Sequence, residues 1–201
     1  MKYNVMARVM GKIMASGIKP GIPEKALRRD IQKEYKRIFL GASDIGGSNR
    51  LLGAYCMAAF FIAMNRLDGR SLEENGEILA SAVKNSRVYR AAMGGADSYF
   101  SEKNMESRRK WSKETHDAAH QAKYPNDWVV DVVEKGEDFQ FGFDYTQCGV
   151  CKLCRDEGHP EYAKYLCALD FLTVDMMGIG LRRQGTLAEG SSKCDFRFCK
   201  K

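Results

Sequence analysis

The sequence predicts an α+β fold: a helical N-terminal two thirds followed by a small antiparallel sheet with inserted helices. Three observations predict it. Apolar residues recur at helical spacing through most of the first 124 residues. A β-branched run and an alternating aromatic run follow. Clusters of Gly, Pro, Ser and Asp punctuate the segments. One domain spanning 1–201 is expected, mostly helical over 1–124, with hairpins and cysteine-bearing helices over 125–201.

The N-terminus, MKYNVMARVMGKIMASG, mixes charges into its apolar positions and lacks the apolar stretch of a secretory signal. Pro23 suits a first helical turn, and Leu27, Ile31, Tyr35 and Ile38 keep helical spacing up to Phe39. Gly41 stops that helix. A loop over 44–49 follows, with Ser48 as cap for a helix to about Arg66 that is apolar nearly all round and so central. Its apolar stretch of 14 residues, Leu51 to Met64, is too short to span a bilayer. Ser71 to Glu74 forms a capping box opening a helix to about Tyr89. Gly94 and Gly95 break the chain, and a polar helix over 98–123 ends before Pro125.

Trp128 to Glu134 then reads as a strand. After a turn over 135–138, Phe139, Phe141, Phe143 and Tyr145 alternate with polar or small residues, so one face is buried. Two short helices are expected, over 151–157 and 161–177. A last hairpin fits 181–188 and 194–198, turning at 189–192.

The formal charge of +6 is modest, with neither a basic stripe nor a nucleic-acid module. Arg108-Arg109-Lys110 beside Trp111 reads as a solvated helix face. The expected partner is a small-molecule substrate, with no nucleic acid and no membrane; a homo-oligomer is compatible with the chain. Seven cysteines, an odd number, argue against a complete disulfide framework and for reduced thiols, hence a cytoplasmic location.

Six of the seven cysteines follow residue 147. Cys148, Cys151 and Cys154, spaced by two residues, suit a divalent metal such as zinc, with Cys194, Cys167 or His159 closing the site. A thiolate nucleophile is the other reading. Cys148 lies where a helix start would lower its pKa, and Arg155 would add charge. Cys167 and Asp170, three apart on a helix, should project together, with Arg182, Arg183 or Arg197 as partner to the carboxylate. Cys56 reads as a buried hydrophobe and Cys199 as an incidental thiol. His159 reads as a surface-loop residue, and His116 and His120 as helix surface.

The run Thr146-Gln147-Cys148, then Gly158-His159-Pro160-Glu161, then Leu166-Cys167-Ala168-Leu169-Asp170, resembles the L-2-amino-thiazoline-4-carboxylic acid hydrolase family. So do Gly185-Thr186-Leu187-Ala188-Glu189-Gly190 and Cys194-Asp195-Phe196-Arg197-Phe198. The resemblance implies hydrolysis of a carbon–nitrogen bond in a cyclic amidine, opening L-2-amino-thiazoline-4-carboxylate to N-carbamoyl-L-cysteine. It implies Cys148, Cys167, Asp170, Thr186, Gly190, Cys194 and Asp195 as shared positions. Cys151 and Cys154 are additions. Cys167 or Cys148 would be the nucleophile and Asp170 the proton carrier. Alternatively a metal held by cysteines or Asp170 would activate water. Arg182, Arg183, Arg197 and Thr186 would hold the substrate. The terminal hairpin after a cysteine-bearing helix is also similar to small-ligand sensor domains of the vinyl-reductase type. That similarity implies a metal- or cofactor-binding module without hydrolase activity.

Overall fold

A computed structural model describes residues 1–201. Ten α-helices precede or interrupt one four-stranded antiparallel sheet. The helices are α1 (Val5–Gly17), α2 (Lys25–Gly41), α3 (Leu52–Leu67), α4 (Leu72–Asn85), α5 (Arg87–Met93), α6 (Ala96–Tyr99), α7 (Glu102–Thr115), α8 (Ala118–Lys123), α9 (Gly149–Asp156) and α10 (Ala163–Met176). The strands are β1 (Val129–Val133), β2 (Phe141–Gln147), β3 (Ile179–Arg182) and β4 (Cys194–Lys200), in spatial order β1-β2-β4-β3. The α+β expectation holds.

α3 is the axis of the helical layer. Its residues from Tyr55 to Met64 are all buried, as an all-round apolar sequence requires. α1, α2, α4, α9 and α10 close round it to form a core of 34 residues. A second core of seven residues lies between the sheet and α7, built on Phe141, Phe143, Phe198 and Met105. No helix is long and apolar enough to cross a membrane. Residues 1–48 hold ten Lys or Arg against four Asp or Glu, so the whole +6 excess lies there rather than being spread along the chain.

Several expected elements are shorter than the periodicity suggested. Local capping competes with helix continuation. The capping box at Ser71 and Glu74 is present. The helix it opens ends at Asn85, because Ser86 turns extended and caps α5 through the Tyr89 amide. The expected helix over 98–123 is three helices, the last capped by Asp117 on the His120 amide. Ser48 caps nothing. α3 starts after Leu51, and Asn49 ties that turn to Asp127 at 2.6 Å. Arg108 is not solvated: it is 5% exposed, and its guanidinium lies 4.1 Å from the Tyr99 ring centre.

The expected last hairpin is the largest departure. β3 ends at Arg182, and residues 187–189 form a 3-10 turn rather than strand. β3 pairs with β4 across a long loop, Ile179 with Lys200 through Arg182 with Arg197. Asp195 fastens that loop by accepting from the Gln184 and Gly185 amides at 3.0 and 2.8 Å. Gly190 adopts φ +87°, a left-handed conformation that favours glycine. In β2 the alternation starts at Phe141; Phe139 lies outside the strand, near the Arg197 guanidinium.

Candidate active site

A cavity of about 330 Å³ lies where the helical layer meets the sheet. Arg50, Leu51, Gly53, Ala54 and Met57, at and before the start of α3, line one side. Tyr89 of α5, then Leu166, Cys167, Leu169, Asp170 and Thr173 of α10, line another. The sheet side supplies Trp128, Tyr145, Cys194 and Phe196, and the β2–α9 junction supplies Cys148 and Val150. The size and the largely apolar wall suit a small ligand.

The wall is set by strand and helix periodicity. Tyr145 pairs with Cys194 and Phe143 with Phe196, so these side chains share one sheet face with Phe141 and Phe198. Arg197 and Asp144 take the opposite face, where they pair at 2.8 Å. On α10, Cys167 and Asp170 both reach the cavity, as their spacing predicts.

Cys148 is the N-cap residue of α9, at the end of β2. Its thiol pKa is lowered. The neighbouring Cys151 thiol is the main cause, the Val150 and Cys151 amides add to it, and burial opposes it. Those amides make no formal capping bond, so the neighbouring thiol dominates. Stabilising Cys148 as thiolate raises the Cys151 pKa in turn. Gly149 holds this junction against the body: a Cβ there would lie 2.8 Å from both the Asn126 carbonyl and the Trp128 ring.

The other cavity thiols differ in kind. Burial raises the Cys167 pKa, with Asp170 adding to it, and pushes Cys194 up to about 11. Cys194 Sγ accepts a hydrogen bond from the Leu187 amide at 3.1 Å. Asp170 opens onto the cavity, its side chain 38% exposed, but apolar walls crowd it. Burial pushes its carboxyl up to about 6, although Arg183, 2.7 Å away, pulls it back. Arg183 is itself 7% exposed, lies over the Phe171 and Phe196 rings, and donates to the Cys167 carbonyl at 3.2 Å.

The structure thus brings Cys148, Cys167, Cys194 and Asp170 together and leaves other expected site residues outside. Arg182 pairs with Asp138 and Arg197 with Asp144, both away from the cavity wall. Thr186 is 1% exposed and caps the 3-10 turn, with its hydroxyl 2.7 Å from Glu189 Oε2. His159 stacks on Tyr162 at 4.5 Å. His116 and His120, separated by the Asp117 cap, pair with Asp131 and Asp127.

For the thiol cage of Cys148, Cys151, Cys154 and Cys194, no group of three or more His, Cys, Asp or Glu stands in metal-holding geometry. The reason is helical. Cys154 projects into the main core, fully buried with a pKa of about 12, while Cys148 faces the cavity.

Arg50 is the residue that sequence reading missed. It is the one Lys or Arg in the cavity wall and has no acidic partner. Its guanidinium lies 5.6 Å from the Trp111 ring centre and bonds Ser107 Oγ at 2.5 Å. Its signal in sequence was only a cation just before the central apolar helix.

A family model described as L-2-amino-thiazoline-4-carboxylic acid hydrolase matches residues 49–198. The match covers most of the chain, including every cavity residue, so the chain belongs to that family. No curated protein and no solved structure matches it.

Proposed function

We propose, from this membership of the L-2-amino-thiazoline-4-carboxylic acid hydrolase family, that the chain is a thiol hydrolase opening a small cyclic amidine that carries a carboxylate. The observation that carries the reading is the pairing, in one cavity, of a thiol with lowered pKa and a carboxyl raised to about 6. Nucleophilic catalysis needs the first and proton transfer near neutrality needs the second.

Cys148 is the nucleophile in this reading, because Cys167 and Cys194 hold their protons more tightly. Its thiolate attacks the amidine carbon and the ring sulfur leaves, protonated by Asp170. Water, deprotonated by the same carboxylate, then attacks the enzyme-bound carbon and frees Cys148. The product N-carbamoyl-L-cysteine keeps both nitrogens on the attacked carbon. The ring bond that breaks is therefore carbon–sulfur, which corrects the carbon–nitrogen cleavage expected from the resemblance. Arg50 binds the substrate carboxylate, the role expected of Arg182, Arg183 or Arg197. Arg183 instead fixes Asp170.

The test is incubation of the purified protein with L-2-amino-thiazoline-4-carboxylate and with the same ring lacking the carboxylate. Formation of N-carbamoyl-L-cysteine from the first and little turnover of the second are expected. No turnover of these or related cyclic amidines, with or without added divalent metal, would overturn the proposal.

A further inference from the structure

We propose that Cys148 and Cys151 form a reversible disulfide, so that the start of α9 is a dithiol site that reacts with low-molecular-weight disulfides. In blocking Cys148 it would also silence the nucleophile, a consequence that rests on the function proposed above.

Geometry carries the pairing. Cys148 is the N-cap and Cys151 lies three residues on, one helical turn along the same edge. Residues so spaced have Cβ atoms roughly 5–6 Å apart. A disulfide asks for Cβ atoms about 3.5–4.5 Å apart, an adjustment that an extended N-cap at a strand–helix junction can supply. Each thiol is the largest influence on the other's pKa. Both are half-buried, whereas Cys154, the third member of the run, is fully buried. Cys148 lines the cavity, the route by which a small disulfide would approach it, and Cys151 is not part of the cavity wall.

The chemistry balances without another reactant. The Cys148 thiolate attacks one sulfur of a small disulfide, forming a mixed disulfide and expelling one thiolate. Forming that bond discharges Cys148, and the Cys148 sulfur is the largest cause of the raised Cys151 pKa. Cys151 then gives its proton to the expelled thiolate and attacks the Cys148 sulfur. The second thiolate leaves and takes a proton from water as the Cys148–Cys151 bond forms. Two protein thiols are oxidised and one small disulfide is reduced to two thiols.

The test treats the full chain and its Cys151→Ser variant with glutathione disulfide, alkylates the remaining thiols and weighs the tryptic peptide 136–152, which holds both cysteines. In the native chain the peptide should lose two hydrogens, escape alkylation and recover with dithiothreitol. Cys151→Ser should stop at a stable glutathione adduct on Cys148. A stable adduct on the native chain, a bond from Cys148 to Cys167 or Cys194, or unchanged thiols would overturn the proposal. These masses need no substrate, so failure to hydrolyse the thiazoline sinks the proposed function alone. Undiminished hydrolysis by the oxidised protein sinks the silencing role.

Discussion

Arg183 lies 2.7 Å from Asp170 with its own side chain 7% exposed, while Asp170 keeps 38% of its side-chain surface toward the cavity. The cation is thus packed behind the wall and the carboxyl is the member of the pair that reaches the cavity. Burial and Arg183 act on Asp170 in opposite senses, and burial is the stronger. The result is a carboxyl that titrates where proton transfer is useful.

Replacing Cys148 by Ala should lower the rate of ring opening by on the order of a thousandfold or more, as expected for loss of a nucleophile. Cys167→Ala and Cys194→Ala should each cost much less. Rates of the three variants, each checked for folding by circular dichroism, decide this. A Cys167→Ala variant as inactive as Cys148→Ala would reassign the nucleophile.

The rate should rise with pH as Cys148 ionises and fall as pH climbs past about 6, where Asp170 loses its proton. Arg183 lowers the Asp170 pKa, so Arg183→Met should move the falling limb to higher pH. Asp170→Asn should abolish that limb. A limb unmoved in Arg183→Met would assign it to another group.

The same shift has a stability consequence. The Asp170 pKa rises from 3.8 to about 6 on folding, so between those values the folded chain holds a proton that the unfolded chain has released. Stability therefore falls as pH rises through that window. Asp170→Asn should flatten its contribution there, read by urea midpoints at several pH values.

Arg50→Gln should raise KM about 10- to 100-fold with a smaller change in kcat, the loss of one charged hydrogen-bonding group. Arg197→Gln should leave KM unchanged, since Arg197 faces Asp144 outside the cavity. The opposite ranking would return the anion site to the sheet.

Gly149→Ala should destabilise the fold by about 1–3 kcal/mol, because the added methyl meets the Asn126 carbonyl and the Trp128 ring. It should also slow alkylation of Cys148, whose N-cap position depends on that contact. Chemical denaturation and iodoacetamide kinetics measure the two effects.

The sequence by itself determined the class of fold, the central position of α3 and the Cys167–Asp170 face, while the grouping of Cys148, Cys167 and Cys194 was implied by the family resemblance. Each follows from periodicity or from motifs, which are local properties of the chain. It could not divide the helices over 71–123, because capping by Ser86 and Asp117 competes with helix continuation by margins that patterns do not encode. Nor could it choose among the arginines. Arg182 and Arg197 meet Asp138 and Asp144 away from the cavity, whereas Arg50 lines it without an acidic partner. The Cys148 pKa is lowered by neighbours within one helical turn, whereas only the tertiary structure, by bringing α3, α9, α10 and β4 to one cavity, set the burial that raises those of Cys167 and Asp170. Burial and charge neighbours are properties of the packed molecule, and they give thiols that look alike in sequence different pKa values.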